Sequence, residues 1–120
     1  DMLTTFGTVL IDPFTEGTQP TLADMGTVTF EATTSSITAT ISGSSLMVED
    51  HLFAILLIDS ATGLPVNLDY PFDTTRGESE SGEINSVTLD FGGNEVPAEV
   101  RAYLMVDAYP MARETVTIPE

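Results

Sequence analysis

Apolar and polar residues alternate with a period of two along most of this chain, and helical periodicity is nearly absent. Thr4–Ile11 reads as a first strand. A turn-rich connection follows, Asp12–Asp24, carrying Pro13, Gly17 and Pro20. Gly26–Ala32 alternates Val28 and Phe30 with threonine, and Thr33-Thr34-Ser35 turns the chain into Ile37–Ser42, with Ile37, Ala39 and Ile41 on one face. After the Gly43-Ser44-Ser45 break comes Leu46–Asp59, apolar at every position from Leu52 to Ile58. The isoleucines and flanking turn signals favour a central strand there over a helix. Thr62-Gly63 turns into Val66–Tyr70, and Asp73–Gly82 reads as a polar loop. Ile84–Phe91, Glu99–Tyr109 and Arg113–Ile118 complete the set.

About seven or eight short strands without intervening helices predict an all-β fold, an antiparallel two-sheet sandwich, immunoglobulin-like or jelly-roll-like. The 120 residues fit one domain spanning 1–120, with residues 1–24 as a strand-plus-tether extension. The start at Asp1 suits a processed mature protein or an excised fragment.

The stretch from Val87 through the Pro97 corner and the long alternating run Val100–Tyr109 to Arg113–Ile118 resembles the E, F and G strands of immunoglobulin-like and fibronectin type III-like domains. Leu52–Asp59 then corresponds to the central C strand. The corner position where such domains often carry tyrosine holds Val100, and the chain has no tryptophan. The resemblance implies extracellular adhesion, scaffolding or assembly roles and carries over no functional residue.

Charge narrows the functions. Nine Asp and ten Glu against three Arg, no Lys and one His give a formal charge of −16. That charge repels phosphate backbones, so neither nucleic acid nor an anionic lipid surface is an expected partner. No apolar run approaches the about 20 residues of a membrane helix, so no membrane insertion is expected. With no Cys there are no disulfides, and with no Lys no Lys–Asn isopeptide cross-link. Eighteen threonines, together with those absences, fit an exposed surface protein outside the reducing cytosol.

Catalytic patterns are scarce. His51 is the sole imidazole, and although Ser44 and Ser45 lie near it in sequence, no nucleophile elbow is present. A zinc site needs several Cys or His ligands. The many carboxylates form acid pairs by chance, and a sandwich this small has little room for a glycosidase cleft. No catalytic residue and no enzymatic activity are expected. No cofactor is expected either, apart from one candidate. Asp69, Asp73, Glu78 and Glu80, with Glu83 beside them, form an oxygen-rich segment of the kind a calcium ion takes, though without an EF-hand pattern; a solvated acidic loop with Arg76 as counterion is the competing reading.

Apolar excess is the more informative feature. Sandwich strands usually bury one face and wet the other. If Leu52, Ala54, Leu56 and Ile58 fill the core, then Phe53, Ile55 and Leu57 join Tyr103 and Met105 on an outer apolar patch, the mark of an interface. The apolar run with Phe6, Val9 and Ile11 adds a second route, pairing with a neighbour's sheet edge or packing on its own domain. The leading expectation is therefore a structural subunit, a homo-oligomer or polymer in a filament, pilus-like or surface-layer assembly. A viral capsid or decoration protein and a glycan- or protein-binding module stay open beside it.

Overall fold

The computed structural model describes residues 25–68 and 74–120. Seven strands appear in this order: β1 Thr27–Ala32, β2 Ser36–Ser42, β3 Phe53–Asp59, β4 Thr74–Glu78, β5 Ile84–Asp90, β6 Glu99–Val106 and β7 Tyr109–Thr117. They form two antiparallel sheets, β1-β2-β5-β4 and β3-β6-β7, packed as an all-β sandwich. A 3-10 turn at Val48–Asp50 interrupts the connection from β2 to β3.

The core lies where the inner faces meet. Phe30, Ile37, Ala39, Ile41, Val87 and Leu89 come from the larger sheet, and Phe53, Ile55, Leu57, Val100, Ala102, Leu104 and Val106 from the smaller. Residues opposite one another in a ladder share a face. The pairs Phe53–Val106, Ile55–Leu104 and Leu57–Ala102 therefore turn inward together.

Three element assignments differ from the sequence reading. Thr74–Glu78 is a strand, where a polar loop was expected. As an edge strand it carries Arg76 and Glu78 in solvent, so apolar alternation never marked it. Val66–Leu68 forms no strand; the Val66 amide donates to Leu57 O at 2.9 Å, Val66 and Leu68 pack against the core, and residues 69–70 lie outside the described residues. The run read as Glu99–Tyr109 breaks after Val106: Asp107 and Ala108 turn the chain at φ 51° and 72°, and Tyr109 opens β7. Hairpin turns with positive φ usually advertise themselves with Asn-Gly or Asp-Gly. Asp-Ala carries no such signal.

Gly26 fixes the entry into β1. Its φ is 77°, and a Cβ there would sit 2.2 Å from Ser42 O and 2.9 Å from Ser44 N. Only glycine fits, so the chain enters β1 hard against the β2–β3 connection. Met25, just before it, is fully buried in the core.

Candidate functional site

The smaller sheet is apolar on its inner face and, along β3 and at Tyr103 and Met105 of β6, on its outer face as well. On its outer face Ala54 pairs with Met105, Leu56 with Tyr103 and Ile58 with Arg101. Ile58, Tyr103 and Met105 form a second buried cluster, separate from the inter-sheet core, with Ala54 and Leu56 packed against it. Tyr103 retains 1% of its exposure, and its hydroxyl is buried without a hydrogen-bond partner. Burying a large apolar side chain is worth roughly 1.5–3 kcal/mol, and an unsatisfied buried hydroxyl costs about 1–3 kcal/mol. For Tyr103 the second term offsets part of the first, so its ring still contributes, beside Ile58 and Met105, to this cluster's stabilisation.

This corrects the expected patch. Phe53, Ile55 and Leu57 do not lie with Tyr103 and Met105; they fill the inter-sheet core. Ala54, Leu56 and Ile58 take the outer position instead. Both halves of Leu52–Ile58 are apolar, so alternation alone leaves two equal choices of inward face. The ladder decides between them, because Phe53 opposes Val106. Phe6, Val9 and Ile11 lie outside the described residues.

A second constellation sits at the β6–β7 hairpin tip. The Nδ1–H of His51 donates to Asp107 Oδ2 at 2.5 Å, since a carboxylate only accepts. The Leu52 amide donates to Asp107 Oδ1 at 2.9 Å, and the Asp107 amide donates to Leu52 O at 2.8 Å. The hydrogen bond from His51, then that from the Leu52 amide, hold the Asp107 carboxyl below its ordinary range. The His51 ring also meets Phe53 edge-on, with centroids 6.1 Å apart. His51-Leu52 thus clamps a turn in the left-handed region, which Asp107 tolerates and which is unfavourable for Ala108. Leu52 and Tyr109 flank this tip with 76% and 67% of their surface exposed. All described hydrogen bonds of the imidazole are at Nδ1, and none involves Ser44 or Ser45.

The acidic segment is only partly in view. Asp69 and Asp73 lie outside the described residues, while Glu78 and Glu80 are exposed at the end of β4 and in the β4–β5 turn. The Ser79 hydroxyl donates to the Glu83 carboxylate and accepts from the Glu83 and Ser81 amides. Those bonds close the turn. Among the described residues no three His, Cys, Asp or Glu side chains gather closely enough to hold a metal ion. Nor, among them, is any helix long and apolar enough to cross a membrane.

Comparison with known proteins adds no relative: no family model, no curated protein and no solved structure matches this chain.

Proposed function

We propose that this protein is a non-enzymatic structural subunit of an extracellular or surface assembly, an immunoglobulin-like sandwich that self-associates by apolar sheet contacts and strand pairing. The observation that carries the reading is the apolar outer face of the smaller sheet, with Ile58, Tyr103 and Met105 at its centre. A two-sheet sandwich needs one apolar face per sheet. A second one exceeds what the two-sheet core requires; its centre at Ile58, Tyr103 and Met105 is buried, and the half-buried Ala54 and Leu56 beside it are what it offers to a neighbour.

Strand order supports the immunoglobulin-like part. With β1–β7 taken as A–G, the two sheets are ABED and CFG, the arrangement of constant-type immunoglobulin domains. The Thr-rich, Cys-free and Lys-free composition supports placement outside the cytosol.

Sedimentation velocity and negative-stain electron microscopy of the full chain at rising concentration test the proposal. Filaments, sheets or a concentration-dependent series of oligomers are expected. Uniform monomers at high concentration would overturn it. The hairpin end, with Leu52 and Tyr109 exposed, would then become the surface of a ligand-binding module.

A further inference from the structure

We propose that a groove at the end of the sandwich opposite the β6–β7 hairpin tip receives a lysine side chain of a cationic partner protein. The groove is a different surface from the apolar outer face, and the inference does not rest on self-association.

The groove encloses about 720 Å³ between the β1–β2 turn, the β5–β6 connection and the residues that follow β7. Ligand clefts commonly hold roughly 300–1,000 Å³. Three backbone hydrogen bonds fix its walls. The Ile118 amide donates to Ala98 O at 2.8 Å, extending the β6–β7 ladder beyond the Glu99–Thr117 pair. The Phe91 amide donates to Ser35 O at 2.9 Å, and the Asn94 amide donates to Phe91 O at 3.1 Å. These two tie the β5–β6 connection to the β1–β2 turn, where Thr34 lines the groove. Pro97 and Pro119 add fixed φ angles to two of the walls. The groove is therefore preformed, and filling it orders little of the protein.

Its chemistry is divided by depth. Ile118 is buried and Val96 and Pro97 are half-buried, whereas the two lining carboxylates, Glu95 and Glu120, are exposed. The apolar surface thus lies deeper than the charge. A lysine side chain has the matching division, since its four-carbon stem lies along apolar surface while the ammonium stays at the water. The described lining residues include no cation to hold an anion and no aromatic ring to stack on a flat ligand.

Charge complementarity decides the source of that side chain. Asp90 and Glu99, exposed at the end of β5 and the start of β6, add negative charge at the same end of the sandwich. The chain has no Lys and three Arg against nineteen carboxylates, so its copies repel one another and none offers a lysine. A basic partner is steered toward this end.

Titration of the isotope-labelled full chain by NMR tests the proposal with three probes. One is a blocked glycine–lysine–glycine peptide, the second carries norleucine in place of the lysine, and the third is butylammonium. Saturable shifts of the Asn94, Val96 and Ile118 amides are expected with the lysine peptide. Glu95→Gln together with Glu120→Gln should weaken its binding about fivefold with the fold unchanged, because exposed ion pairs are individually weak. Glu78→Gln together with Glu80→Gln removes the same charge at the other end of β5 and should leave binding unchanged. Equal weakening by both pairs would overturn the proposal, reducing the effect to net charge. Equal binding of the norleucine peptide would overturn it by removing the ammonium from recognition. Butylammonium binding as tightly as the lysine peptide would assign the groove to a free amine instead. Shifts of the same amides on concentrating the chain alone would assign it to a second copy. No saturable shift at these amides would refute it outright.

Discussion

The outer faces of the two sheets are built from the same kind of strand and end in opposite chemistry. On the larger sheet, Thr29 opposes Thr40, which opposes Ser86; Glu31 opposes Thr38, Thr38 opposes Thr88, and Thr88 opposes Thr75. Apart from Glu31–Thr38 these are hydroxyl pairs, as in the 2.9 Å contact between Thr38 and Thr88. On the smaller sheet the corresponding positions hold Ala54, Leu56, Ile58, Tyr103 and Met105. Threonine keeps the β-branching that suits a strand and adds a hydroxyl for water. The first face is therefore suited to water, and the second is apolar at its centre. Within one fold, β-propensity and solvent preference are separable properties.

Parallel truncations would break this comparison most directly. Tyr103→Ala should destabilise the chain by about 2–4 kcal/mol, somewhat below the usual loss for a buried aromatic because its hydroxyl is unsatisfied. Thr38→Ala, at the centre of the other outer face, should cost less than about 1 kcal/mol. Urea denaturation of both variants reads the difference, and equal losses would mean that the two faces are equivalent.

A smaller effect sharpens the contrast at the hairpin that ends the smaller sheet. Ala108 sits at φ 72°, a strained conformation for a residue with a Cβ. Ala108→Gly should raise stability by about 0.5–1 kcal/mol in thermal or urea unfolding, the relief of strain outweighing the added chain entropy. A loss instead would show that the turn is not strained.

The smallest expected effect concerns acid. The folded-state pKa of Asp107 lies below its ordinary value. Its contribution is therefore full above the unfolded-state value, about 4, and is lost as pH falls through the lowered folded value. Asp107→Asn keeps an acceptor for the Leu52 amide and removes the charge. Its stability should trail that of the natural chain at neutral pH and converge with it toward pH 2, as followed by unfolding at a series of pH values. The carboxyl is half exposed, so solvent screens the difference.

These contrasts also mark where sequence reasoning succeeds and stops. Alternation with one polar face is self-interpreting, and Ile37, Ala39 and Ile41 turn inward as their pattern requires. On β6 the inward set Val100, Ala102, Leu104 and Val106 also follows the pattern. On β3 both sets are apolar, and local information has nothing with which to choose. Small Ala54 in one set and Phe53 in the other is the faint signal that favours the observed arrangement. The strand at Thr74–Glu78 was invisible for the opposite reason, since a solvated edge has no apolar stripe to display. The His51–Asp107 contact joins residues 56 positions apart, and sequence holds no trace of it until the hairpin tip is placed beside the start of β3.

The surplus apolar face also bears on symmetry. A face that met its own twin would close a two-fold pair and stop growing. A face that met a different surface of the next copy would leave one unused face and one unused partner surface at the two ends of the row, and growth would be directional and open-ended, its length set by concentration instead of geometry.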